Sequence, residues 1–122
     1  KPQNVILPGY IDGEIIQGAF ASANIFFFPS YEETEGIVVL EALASKCQVL
    51  VRNSGVYESW LTKDENCFMA ENNDEFSEKI RAYFAGEIDS TIESGYKVAK
   101  ERSLPKIGEQ LKKIYQDLLL KN

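Results

Sequence analysis

Three residues in the stretch Phe28–Ala44 have types and spacing suited to ligand chemistry: Glu33, Gly36 and Glu41. A carboxylate only accepts hydrogen bonds, so adjacent hydroxyl groups, as on a ribose or a hexose, are partners that suit it. A glycine lets the backbone approach a ligand closely, because no Cβ intervenes. A helix that begins near Gly36 presents first-turn N–H groups and the positive end of its dipole, a combination that favours a phosphate or diphosphate. On that placement Glu41 lies about five residues into the helix, roughly 7.5 Å along its axis. This is comparable with the separation between a nucleotide's diphosphate and its ribose hydroxyls. Taken alone, these features indicate a phosphate-bearing ligand and no more.

Each carboxylate also has a plainer use. Glu41 is the one charged residue within Ile37–Ala44, and burying it unpaired would be costly. It could instead pair with Arg52 or a lysine, or reach solvent. Glu33 stands beside Glu32 and Glu35, and an acidic loop of this kind is ordinarily solvated. Three acids near a diphosphate repel it, so cations from elsewhere have to offset them.

The elements that position these residues read as alternating strands and helices. Asn4–Leu7 is a short β-rich run ended by Pro8-Gly9, and Glu14–Ala23 carries apolar residues at helical spacing. Asn24–Phe28 is continuously apolar up to Pro29-Ser30, as a strand covered on both faces would be. Ile37–Ser45 predicts a buried helix, Gln48–Arg52 a strand, Tyr57–Leu61 a short helix with Trp60 and Leu61 inward, and Cys67–Ala70 a short strand. From Asp74 onward the pattern is helical. Its apolar stripes are Phe76, Ile80, Tyr83 and Phe84, then Ile92, Tyr96 and Ala99, then Leu104, Ile107, Leu111, Ile114 and Leu118. Pro105 falls in the first turn of the last helix. This alternation predicts an α/β fold, a Rossmann-like parallel sheet with flanking helices. Because the chain opens on a sheet-like strand and closes on a long helical tail, the expectation is that 1–122 is part of a domain.

Composition narrows the function classes. Of the 122 residues, 44% are hydrophobic and 26% charged, a globular composition. The apolar runs are too short to span a bilayer, and Lys1–Asn4 leads into the first apolar run with no leader-like pattern. A formal net charge of −6 speaks against a nucleic-acid surface and against this segment alone holding an anionic membrane. Cys47 and Cys67 lack metal-site spacing and read as reduced, buried thiols of a cytoplasmic protein. With no histidine present, the commonest general base and zinc ligand are removed together.

The run from Phe28-Pro29-Ser30 through Glu33-x7-Glu41-Ala42-Leu43-Ala44, with Gly36 three after the first glutamate, resembles the signature of the retaining glycosyltransferases of family 4, which have the GT-B fold. The likeness extends to Pro8-Gly9-Tyr10, Ala19–Asn24, Gln48–Val51, Asn66 and Ile107–Leu119. Within the family, Tyr31–Lys46 is most similar to bacterial enzymes that make glucosyl-diacylglycerols.

The resemblance implies a partial C-terminal, donor-binding domain, with the first βα units and the N-terminal acceptor domain lying outside the chain. It implies that Glu41 binds the ribose of a nucleotide-diphosphate sugar such as UDP-glucose and that Glu33 contacts the donor sugar. Backbone amides of Thr34, Glu35, Gly36, Ile37 and Val38 would receive the diphosphate. It further implies metal-independent transfer to an acceptor, here a diacylglycerol-type membrane lipid, by an enzyme that is cytoplasmic and peripheral at the inner face of the membrane. The fragment alone is expected to be inactive. A different class of reading is a non-catalytic α/β subunit that docks on a separate chain, or a plain interaction domain. The sequence departs from the family pattern at Lys46, where glycine is usual, and at Gln48, where proline is usual.

Overall fold

Strand β2 (Val49–Arg52) is buried along its whole length and lies at the centre of a parallel sheet between β1 (Phe26–Phe28) and β3 (Phe68–Ala70). The computed structural model describes residues 2–32 and 36–120. The register aligns Phe26 with Val49 and Arg52 with Ala70. Period-two alternation sends Val49, Val51 and Met69 to one face and Leu50, Phe68 and Ala70 to the other. Helices α1 (Gly13–Ser22), α2 (Ile37–Ala44) and α4 (Ile92–Glu101) cover the first face, and α3 (Asn73–Phe84) covers the second. The last helix, α5 (Leu104–Leu120), follows α4. The α/β class and the parallel order expected from the sequence are therefore present.

Local chemistry explains several joints. The Asn72 side chain accepts the Glu75 N–H at 2.9 Å and caps α3, while the Glu75 carboxylate accepts the N–H of Glu71, the residue before the cap, at 2.7 Å. Gly95 brings α4 against α2. A Cβ there would lie 2.7 Å from Leu43 Cδ2 and 2.8 Å from the Asn66 carbonyl oxygen.

The two departures from the family pattern are both accommodated. Gln48 is buried and clasps the start of α4: its Nε2 donates to Thr91 Oγ1 at 2.8 Å, and its Oε1 accepts the Thr91 N–H at 2.8 Å. Lys46 adopts a left-handed conformation, φ 58°. Its ammonium lies 4.7 Å from the Tyr96 ring and 4.0 Å from Glu93.

Several expectations are corrected. Asn4–Leu7 is not a strand. Val5 N–H reaches back to the Pro2 carbonyl at 3.2 Å, and Ile6 and Leu7 are exposed. β-rich composition does not make a strand where no ladder partner lies alongside. The apolar run Asn24–Phe28 yields only a three-residue edge strand, with Phe27 45% exposed and lying against Phe76. Helix α2 buries Val39, Ala42 and Leu43 but exposes Ile37, Glu41 and Ala44, so it is a half-buried helix. Residues 56–60 form turns, with Tyr57 more deeply buried than Trp60. Helix α5 takes up the helical stripe predicted from Leu104 onward, and none of its residues is buried.

Candidate functional site

The carboxyl ends of parallel strands, with the helix starts that follow them, are where ligands collect in open α/β sheets. Here that edge holds Pro29-Ser30 after β1, Arg52 at the end of β2 and Glu71 after β3. Ser30 Oγ donates to the Glu32 carbonyl at 2.8 Å and shapes the start of the β1–α2 loop.

Gly36 starts α2 as its N-cap, in the left-handed region at φ 70°, ψ 33°. Among the described residues no side chain caps this end. The Gly36 carbonyl accepts the Val39 and Leu40 N–H groups at 3.0 and 3.2 Å. The amides of Ile37 and Val38, in the first turn, have no partner inside the helix. Gly36 is wedged in place, since an added Cβ would lie 3.0 Å from Tyr57 Cε1 and 3.3 Å from Trp60 Cζ2. Those two rings meet edge to face at 5.8 Å. The helix start predicted near Gly36 is therefore present, with a turn that only glycine adopts readily.

Glu41 lies one turn into α2 on the outward face shared with Ile37 and Ala44. Among the described residues it takes part in no ion pair. The expected cost of burying it does not arise, and Arg52, the sequence's suggested partner, is engaged elsewhere. The structure brings Gly36, Ile37, Val38 and Glu41 onto one short helix start. Glu33, Thr34 and Glu35 lie outside the described residues.

Two arginines near this edge were not assigned a ligand role by sequence reasoning. Arg52 donates from Nε to the Pro29 carbonyl at 2.8 Å and from Nη1 to the Glu71 carbonyl at 2.7 Å. Its guanidinium stacks on Tyr31, 3.8 Å from the ring centroid. The available signal was an arginine closing an apolar strand. Arg102, between α4 and α5, lies 5.0 Å over Trp60. It lines a cavity of 420 Å³ with Ile37, Leu40, Val56 and Ile107 beside the start of α2. Its distance in sequence from the motif hid this placement. Among the described residues no three His, Cys, Asp or Glu side chains gather as a metal site.

Comparison with known proteins gives a consistent result. The sequence profile of the glycosyl transferases group 1 matches residues 1–100. The chain is 51% identical over 119 residues to the processive diacylglycerol alpha-glucosyltransferase of Acholeplasma laidlawii, covering 98% of this chain and 36% of that protein. It is 30% identical over 84 residues to the alpha-galactosylglucosyldiacylglycerol synthase of Streptococcus pneumoniae, covering 69% of this chain and 22% of that protein. The chain thus spans well under half the length of these relatives. In fold it resembles the crystallised C-terminal domain of a glycosyl transferase group 1 family protein from Francisella tularensis, with a TM-score of 0.65 and 24% identity over 77% of this chain and 51% of the other.

Proposed function

The chain belongs to the glycosyl transferases group 1 family, and from that premise we propose that it forms the donor-binding side of a retaining glucosyltransferase that uses UDP-glucose and acts on a diacylglycerol-type lipid. The observation that carries this reading is the start of α2: a left-handed glycine turn at the sheet's carboxyl edge, with an exposed carboxylate one turn beyond it that forms no ion pair among the described residues.

In this reading the amides of Gly36, Ile37 and Val38, with those of Thr34 and Glu35, receive the diphosphate. The helix dipole favours its charge. That charge grows as the sugar–phosphate bond breaks, so the same amides act on the leaving group. Glu41 accepts hydrogen bonds from the ribose hydroxyls and Glu33 from those of the sugar. No metal is required for these roles. The acceptor site belongs to parts of the enzyme beyond this chain, and the enzyme works peripherally at the inner face of the membrane. The diacylglycerol relatives support the acceptor class.

The test is donor binding and glucose transfer by the intact enzyme that carries this chain. Hydrogen bonds to a charged group contribute about 1.5–3 kcal/mol, so Glu41→Ala is expected to weaken UDP-glucose binding at least about tenfold. Because Glu41 is exposed, the melting temperature should hold. Calorimetric titration that finds wild-type affinity in Glu41→Ala would remove the assignment. Failure of the wild-type enzyme to bind a uridine-diphosphate sugar would remove the donor class.

A further inference from the structure

We propose that Arg52 is a positioning residue for donor binding, one that fastens the β1–α2 loop to the end of the sheet; this rests on the functional reading above. Arg52 ends the central strand and is only 6% exposed. Strand alternation puts its side chain on the α3 face with Leu50, where the guanidinium also lies 5.1 Å from the Phe76 ring. From there it reaches sideways in both directions. Nε holds the carbonyl of Pro29, the residue after β1, and Nη1 holds the carbonyl of Glu71, the residue after β3. One planar group therefore ties together the carboxyl ends of all three strands.

The chemistry argues against a role in packing alone. Burying a cation is unfavourable unless its donors are satisfied. Among the described residues no carboxylate forms a salt bridge with Arg52. A β-branched aliphatic residue would close a buried strand without that penalty. What the guanidinium adds is a fixed fork for two carbonyls and a flat surface on which Tyr31 stacks at 3.8 Å. Lysine offers neither the fork nor the plane. Pro29 and Tyr31 are the residues through which the chain leaves β1 toward Glu33 and Gly36. Arg52 thus fixes the root of the segment that the donor would meet, without itself touching the donor.

The experiment is steady-state kinetics of the intact enzyme with donor and acceptor varied separately, for Arg52→Lys, Arg52→Gln and Tyr31→Ala, beside thermal unfolding. Small misplacements of binding groups cost up to about a hundredfold in rate, so the donor KM is expected to rise at least about tenfold in both arginine variants, and less in Tyr31→Ala. The acceptor KM is expected to stay within about twofold, because the acceptor is bound elsewhere. Phe68→Leu opens a cavity at the amino end of β3, away from α2 and the carboxyl edge, and serves as the comparison. It should lower the unfolding temperature without separating the two KM values. Wild-type donor KM in Arg52→Lys overturns the proposal. So does a joint drift of both KM values that tracks the unfolding temperature as in Phe68→Leu. Should the arginine variants fail to fold, Tyr31→Ala carries the test, since Tyr31 is exposed. A wild-type enzyme with no saturable dependence on the uridine-diphosphate sugar fails the functional reading itself, an outcome distinct from the other two.

Discussion

Gly36 is subject to two constraints at once, one from its backbone and one from its neighbours. Its positive φ disfavours any L side chain, and the Tyr57 and Trp60 rings crowd a Cβ closely enough that they would have to shift by a few tenths of an ångström. Gly36→Ala is therefore expected to destabilise the fold by about 1–3 kcal/mol, read from the denaturant midpoint, and to weaken donor binding as the helix start shifts. Lys46 is an instructive contrast, because it holds a left-handed turn at the surface, with its side chain over Tyr96. At this scale Gly36 and Glu41 were legible, since their spacing along a helix start is a property of the sequence. Arg52 was not. Its partners are the main-chain carbonyls of Pro29 and Glu71, and no side-chain pattern announces a carbonyl.

Among the elements, legibility followed burial. Strands β2 and β3 and helices α3 and α4 fall close to where their apolar periodicity put them, because each has a neighbour to pack against. Asn4–Leu7 misled because a strand is a partnership, and its run of β-formers finds no ladder among the described residues. The turn at 56–60 misled because the buried ring is Tyr57, whose place under Gly36 depends on tertiary contact. Helix α5 is the sharpest case: its stripe is amphipathic, yet Leu111 and Ile114 are 50% and 54% exposed. That stripe contributes little to the stability of this chain. Leu111→Gln is expected to change the unfolding free energy by no more than about 0.5 kcal/mol, as an equilibrium denaturation series would show.

For the molecule as a whole, stability comes from two apolar clusters back to back across a three-stranded sheet. The first contains both thiols, Cys47 and Cys67, which are buried and unbridged. Burial, and secondarily the nearby Asp64 carboxylate, pushes the Cys67 thiol from an ordinary 9.0 up to about 12. Below pH 9 the thiol is protonated in both folded and unfolded chains, and stability is undiminished. Above it the unfolded chain ionises first, so stability falls as pH rises toward the folded value. The loss approaches about 1.4 kcal/mol per pH unit. Denaturant midpoints between pH 8 and 10.5 should decline, and Cys67→Ala should flatten the decline.

The ring-walled turn at Gly36 has a consequence for how a ligand would be received. The amino end of α2 is shaped by Tyr57 and Trp60, which belong to the core and its margin, and it needs no visitor to hold it open. The conformational entropy of forming that cradle is surrendered during folding and not at the encounter. An anion of the kind proposed above would find the amides of Ile37 and Val38 already oriented by the helix, so little of the interaction free energy at those two groups would be diverted to ordering the receptor.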